Sequence, residues 1–395
     1  MNRICHLVFE HSPMDGRVFY KEAVSLANAG FDVTILAPSL DKKTLGRKGE
    51  MPLESDGTLK KSGVQFESYH YDKRLPRQFG IRDFVTKRRI LHKLIEIDAD
   101  VYQFHEDGIS MEVCLELKKI RPSKRVVFDF HEFFLIRKID RLPKKRKEFL
   151  KYVELEKAII GISDLIITVS DFLRVYFEGL NARKVVKIMN CQSKSIFSSP
   201  GKTRRNKPFF ICHEGKMLFD RGLELIVEIM RNIADPDIRC LIIGSLPRRE
   251  WEYFNRKTRD YKIEDRFVIT GWVDYHELPH YLSQAHLGLY FGMTANGRLG
   301  IANKFFNYLC SGLPVISLSN PATDWILSRY RCGYCFKEPD AKAIANKIVE
   351  LEKNRDLYET LSENSRAAFE NEFNWERMET VLVGAYQELF GDKEK

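Results

Sequence analysis

The chain has 395 residues, room for two or three domains, and its 44% hydrophobic and 30% charged residues are the balance of a globular protein. No run reaches the roughly 18 uncharged apolar residues of a membrane span, which speaks against a helical membrane protein. The net charge of +9 is carried by one half: residues 1–200 hold 36 Lys and Arg against 27 Asp and Glu, and residues 201–395 hold 28 of each.

Met1 to Glu10 reads as a buried strand carrying Arg3, Cys5 and His6. It lacks the apolar core and cleavage site of a signal peptide, so a cytoplasmic location is expected. Candidate strands follow at Ile4–Phe9, Asp32–Leu36, Val64–Tyr69, Val101–His105, Val126–Phe130, Leu165–Val169 and Val185–Met189. Most are continuous apolar runs, the pattern of parallel strands buried on both faces. Helical patterns such as Val18–Ala29 and Glu148–Ile160 fill the gaps. This alternation predicts a doubly wound α/β domain over residues 1–195.

A polar stretch with Ser198-Ser-Pro-Gly-Lys and Arg204-Arg-Asn-Lys reads as a linker, residues 196–207. Strand signals resume at Phe209–Cys212, Cys240–Ile243, Phe267–Thr270, Leu287–Phe291 and Pro314–Ser317, with helices at Ala341–Lys353 and Asp356–Phe369. They predict a second α/β domain over 208–372. Residues 373–395 carry one more helical pattern, Phe373–Leu389.

The first turn, Glu10 to Arg17, holds one glycine, Gly16, and not the Gly-x-Gly-x-x-Gly of a dinucleotide dehydrogenase. No Walker A lysine motif is present either. The second half opens on a strand, then Gly215-Lys216 and Arg221-Gly222 ahead of a helix. Two cations at a glycine turn before a helix N-terminus suit a diphosphate. A later loop, Asn296-Gly-Arg-Leu-Gly300-Ile301-Ala-Asn303-Lys304, feeds a helix that Gly312 and Pro314 end. It lies where open α/β sheets bind ligands. His105-Glu106-Asp107 and His131-Glu132 directly follow strands, at the edge where a cleft would open. Asp98-Ala-Asp100 precedes a strand, so it reads as a loop and no essential metal is expected. Cys332-Gly-Tyr-Cys335 has redox spacing but reads as a short strand of its own.

Together these residues resemble the retaining nucleotide-sugar glycosyltransferases of family four. The resemblance runs from Asp15-Gly16-Arg17 through His105-Glu106, Val127 to Glu132, Ser163 to Ser170, Gly215 to Gly222, Gly271-Trp272-Val273 and Asn303 to Pro314, ending at Asn374-Trp375-Glu376. It implies the GT-B fold: two facing Rossmann-like doubly wound α/β domains with a cleft between them. The first would bind acceptor and the second nucleotide sugar, and the terminal helix would cross back to the first. It implies that Lys216 and Arg221 hold the donor diphosphate, that Gly271 and Val273 lie near the nucleobase, and that His105 and Gly16 lie near sugar, phosphates and acceptor. Gly215, Gly300, Ile301, Asn303 and Lys304 complete the expected donor site. The family's paired glutamates fall on Leu299 and Asn307, the second being the position that binds the donor ribose. A subset lacks the first glutamate and reads Pro-Asn-Lys-x-Phe-Glu-Tyr, with Ala302 and Asn307 here in place of Pro and Glu.

The reading that follows is transfer of a sugar from a UDP- or GDP-sugar to a glycan or lipid-linked acceptor, in surface polysaccharide or glycolipid synthesis. No cofactor beyond the donor and no nucleic-acid partner is expected. The basic half predicts peripheral contact with an anionic membrane or an acidic glycan. A non-catalytic partner subunit and another GT-B enzyme, such as a sugar-nucleotide epimerase, stay open.

Overall fold

The computed structural model describes residues 2–38, 60–72, 74–76, 80–105, 108–136, 146–196, 208–274, 276–293 and 299–391. Beyond Ile196, the expected linker lies outside the described residues, as do Glu106, Asp107 and residues 296–298. The chain forms two compact units, Met1–Met189 with Met378–Lys395, and Asn190–Arg377.

Unit 1 is built on an eight-stranded sheet of order β3-β4-β2-β1-β5-β6-β7-β8. The strands are β1 (Arg3–Leu7), β2 (Asp32–Pro38), β3 (Lys60–Lys61), β4 (Val64–Tyr69), β5 (Val101–Phe104), β6 (Arg125–Phe130), β7 (Leu165–Thr168) and β8 (Val185–Lys187). Every pairing is parallel except β3 with β4. Alternation along the strands sends Cys5, Leu7, Tyr102, Phe104, Val126 and Phe128 into one apolar core. The same alternation turns His6, Gln103 and Asp129 to the opposite face. The predicted helix at Val18–Ala29 starts with a π-helical stretch, Val18–Ala23, and continues as an α-helix at Val24–Asn28. The terminal helix, Trp375–Gly391, contributes to this unit: Phe390 stacks on Phe31 at 5.4 Å, and the Tyr386 hydroxyl donates to Gln103.

Unit 2 carries a six-stranded parallel sheet of order β11-β10-β9-β12-β13-β14. Its strands are β9 (Phe209–Glu214), β10 (Ile238–Ile243), β11 (Phe267–Ile269), β12 (Leu287–Tyr290), β13 (Val315–Leu318) and β14 (Gly333–Phe336). Ile211, Ile226, Ile242, Leu289, Ile316 and Ile348 are fully buried in its core. Gly288 fixes where the helix Asn303–Cys310 sits. A side chain there would meet the Tyr308 ring at 2.4 Å, so the helix rides close on β12. Both units are doubly wound α/β layers, as the strand–helix alternation predicts. In each, the strand order reverses once at the centre, between β1 and β5 and between β9 and β12. A crevice opens beyond the carboxyl ends of the strands at such a switch point.

Candidate functional site

In unit 2 the switch point lies between the turn after β9 and the loop after β12. β9 ends at Glu214, and Gly215 follows with φ +90°, a left-handed turn suited to glycine. Gly244, at the end of β10, packs directly on it: a Cβ there would lie 2.1 Å from the Gly215 carbonyl oxygen. The two strand ends can approach this closely only because Gly244 lacks a side chain. Gly222 is constrained in the same way, with φ +88° and the Phe291 side chain 2.8 Å from where a Cβ would stand.

Arg221 and Lys304 converge over Gly215. A Cβ on Gly215 would lie 3.8 Å from Arg221 Nη1 and 3.9 Å from Lys304 Nζ. Arg221 is anchored loosely, donating to the Lys216 carbonyl at 3.4 Å, and Lys216 itself is exposed. Lys304 donates to His213 Nε2 at 3.2 Å, because an ammonium has only donors to offer. Burial, then the nearby Arg221, brings the Lys304 pKa down to about 7. Burial, Lys304 and Arg221 likewise hold His213 well below its ordinary value, so it stays neutral. Among the described residues no carboxylate forms a salt bridge with Arg221 or Lys304, and two cations so placed make a ready anion site.

The Lys304 end is held from behind. Tyr290 Oη accepts from Ala302 N at 2.8 Å and donates to Gly300 O at 3.3 Å. Asn320 Nδ2 also donates to Gly300 O, at 2.7 Å. Ile301 is buried, while Asn303 is exposed on the first turn of the helix Asn303–Cys310. The Asn303 and Lys304 amides at the start of that helix and the helix dipole add to the positive field.

Asn307 is buried. Its Nδ2 donates to Glu214 Oε2 at 2.7 Å, and its Oδ1 accepts from Gln192 Nε2. Burial pushes the Glu214 carboxyl up, against the opposing effects of Asn307 and Lys304. Tyr308 closes the group, accepting from Glu214 N at 2.9 Å and donating to Leu289 O at 3.2 Å. Sequence reasoning missed Glu214, His213 and Gln192. The available signal was the polar pair His213-Glu214 ending an apolar strand directly before Gly215. Gly271 follows β11 with φ +74°, Val273 is half-buried, and Trp272 between them is 70% exposed.

In unit 1 Gly16 stands in the turn after β1, beside Arg17 and Asp15, whose Oδ1 accepts from Arg17 N at 2.7 Å. The sequence places His105 on a cleft, but in the structure the residue is fully enclosed. Its ring bonds His6 at 3.1 Å and Asp129 at 3.2 Å. Asp129 takes two bonds from the Arg17 guanidinium, both 2.8 Å, and Arg17 also pairs with Glu22 at 2.9 Å. Gln103 Nε2 donates to Glu22 at 2.6 Å, and its Oε1 accepts from the Tyr386 hydroxyl. A buried polar chain therefore runs from the terminal helix to the Gly16–Arg17 turn. Among the described residues His6, Glu22 and His105 are the one group able to hold a metal ion, with ligand atoms within 4.8 Å of one another. The Arg17 guanidinium against Glu22 opposes a cation there. Asp98 and Asp100 are engaged elsewhere, Asp98 with Lys124 at 2.9 Å and Asp100 with Arg3 N at 3.0 Å. Cys332 and Cys335 are free thiols; burial pushes Cys332 up to about 12 and raises Cys335 as well, which leaves little thiolate at neutral pH.

Residues 16–191 match the family model described as Glycosyltransferase Family 4, and residues 196–368 match the one described as Glycosyl transferases group 1. The capsular polysaccharide biosynthesis glycosyltransferase CapM of Staphylococcus aureus is 24% identical over 187 residues, 45% of this chain and 46% of CapM. The chain spans about half the length of the curated relatives it matches, 46% for the first of them. Among solved structures, sucrose-phosphate synthase of Thermosynechococcus elongatus superposes with TM-score 0.75 at 17% identity, over 99% of this chain and 100% of that one. Anabaena Alr3699/HepE, solved with UDP and glucose, superposes with TM-score 0.74 at 12% identity, over 98% and 100%. At these identities the superpositions establish the fold, which is GT-B-like.

Proposed function

We propose that the chain is a retaining glycosyltransferase of family four that takes a UDP-sugar in unit 2. The acceptor is a growing glycan or a lipid-linked sugar in surface polysaccharide or glycolipid synthesis. The observation that carries this reading is the convergence of Arg221 and Lys304 over Gly215 at a sheet switch point. A diphosphate there meets two cations, a glycine turn open to close backbone approach and the first amides of the helix Asn303–Cys310. The two glycosyltransferase family models support the reaction class, and the UDP bound to HepE supports uridine over guanosine. CapM, as its name says, serves capsular polysaccharide, which supports the acceptor class.

When the bond between sugar and diphosphate breaks, negative charge grows on the departing phosphate oxygen. Arg221, Lys304 and the helix amides are already aimed at that charge, so the departing group is stabilised without rearrangement. Lys216, exposed one residue beyond Gly215, reaches the same anion from solvent. Gly271 and Val273 serve the nucleobase, and Glu214, bound to Asn307, presents a carboxylate to the ribose side. His105 acts through Asp129 and Arg17 to hold the Gly16 turn, a positioning role that suits its burial.

A panel of nucleotide sugars tests the reading by thermal shift. A ligand at 100 times its dissociation constant stabilises the folded state by about 2.7 kcal/mol. UDP-sugars are expected to raise the melting temperature and to release UDP when acceptor is added. Stabilisation with no UDP release under any acceptor would favour a non-catalytic partner subunit.

A further inference from the structure

Arg17 and Glu22 stand five residues apart, both are buried in unit 1, and their side chains meet at 2.9 Å. An α-helix brings residues three and four apart onto one face, not residues five apart. The wider winding of the π-helical stretch Val18–Ala23 makes the contact. Glu22 N donates to Arg17 O at 2.9 Å and Val24 N donates to Phe19 O, each five residues back. Such π turns are rare and occur frequently at functional sites. The stretch begins directly at the Gly16–Arg17 turn, where a Cβ on Gly16 would meet nothing within 4 Å. Two sets of bonds hold the stretch from within. Arg17 is gripped by Asp129 and donates to Ile188 O at 3.0 Å. Glu22 Oε2 accepts from Gln103 Nε2, and Gln103 Oε1 accepts from the Tyr386 hydroxyl. Tyr386, Gln103 and Glu22 are all fully buried, so each depends on the next for its hydrogen bonds.

We propose that Tyr386 is a positioning residue for sugar transfer: its hydroxyl, through Gln103 and Glu22, keeps the π winding and with it the place of the Gly16–Arg17 turn. Being fully buried, Tyr386 touches neither donor nor acceptor. The role rests on the reading of the Gly16 turn as part of the transfer site. Without the hydroxyl, Gln103 Oε1 is a buried acceptor with no donor, at a cost that the Gln103 amide relieves by turning. Glu22 then loses its bond from Gln103, and the segment is free to take up α winding. In that winding Glu22 moves off the face of Arg17, and the turn ahead of the helix shifts with it. Misplacement on this scale next to reacting groups is enough to slow transfer.

The test compares Tyr386→Phe with Phe390→Leu in the full chain. Phe390 lies on the same helix and stacks on Phe31, so its change weakens the helix contact and leaves the polar line intact. Hydrogen exchange over residues 16–24 is expected to be ~10-fold faster in Tyr386→Phe, the worth of one buried hydrogen bond, and parental in Phe390→Leu. With UDP-glucose as donor, kcat for UDP release should fall ~10-fold in Tyr386→Phe while KM for the donor stays as in the parent, since the phosphates are held in unit 2. A role in stability alone would move the two variants alike, and the lost activity would return on cooling. Parental exchange over residues 16–24 in Tyr386→Phe, equal acceleration in Phe390→Leu, or faster exchange with parental kcat would each overturn the proposal. Calorimetry with UDP should give the parental affinity in both variants. Failure of the parent chain to bind UDP would sink the donor reading, and the exchange comparison would still decide whether Tyr386 holds the turn.

Discussion

The side-chain amide of Asn307 donates to the Glu214 carboxylate at 2.7 Å, joining a helix to the end of a strand 93 residues earlier. A carboxylate is thus present beside position 307, supplied by the strand and held by an amide. On sequence alone, Asn307→Glu is expected to tighten donor binding. With Glu214 in contact, the same change sets two buried carboxylates against each other, and one must take up a proton or move. Asn307→Glu is therefore expected to destabilise the chain by about 1–3 kcal/mol. Glu214→Gln in the same chain restores an amide–carboxylate pair and should recover most of the loss. Urea unfolding of the single and double variants measures both.

Lys304 gives the site a pH dependence with opposite signs for stability and binding. Its pKa is about 7 in the folded chain, against about 10.4 when unfolded. Between these values the unfolded chain holds a proton that the folded chain lacks, so this group's contribution to stability rises with pH across that window. Below the folded value the contribution is lost. Diphosphate binding needs the ammonium, so affinity for UDP should fall as pH rises above about 7, with a proton taken up on binding. Titrations in buffers of different ionisation enthalpy detect the uptake. Lys304→Met should bind more weakly and lose that proton uptake.

Gly244 tests the close approach of the two strand ends. Gly244→Ala places a methyl group 2.1 Å from the Gly215 carbonyl oxygen unless the turns separate. The expected result is a stability loss of about 1–3 kcal/mol and weakened UDP binding, because the turn carrying the anion site must move. Thermal melts with and without UDP separate the two effects.

His105→Ala removes the imidazole that joins His6 to Asp129 in a closed interior. Losing both of its bonds from a closed interior, with Asp129 still held by Arg17, should destabilise the chain by about 1–3 kcal/mol, with UDP affinity of the folded protein unchanged. A stable variant with reduced transfer and intact donor binding would instead return His105 to direct contact with acceptor or sugar.

The strands were legible because parallel strands buried on both faces must be apolar throughout. Val64–Tyr69 was read to the residue, and the rest differ by a few residues at their ends. Val101–His105 stops at Phe104, the last residue that pairs with β1 and β6. Lys60–Lys61 escaped notice, since two lysines on an edge carry no apolar signal. The glycines and cations of the site were legible as a turn ahead of a helix. Their partners were not: Glu214, His213 and Gln192 meet Asn307 and Lys304 across 91 to 115 residues of chain. No local pattern encodes such contacts. The burial of His105 was hidden for the same reason, because its partners His6 and Asp129 come from strands distant in sequence.

Calorimetric titration with UDP of the parent chain and of Arg221→Ala tests the central claim most directly. The account predicts one site in the parent and a loss of ~10- to 100-fold in the variant, the worth of one charge-assisted hydrogen bond to the diphosphate. Lys216→Ala should lose less, since its ammonium stands exposed outside the convergence of Arg221 and Lys304. Parental affinity in Arg221→Ala, or no binding of UDP by the parent chain, would contradict a diphosphate site over Gly215.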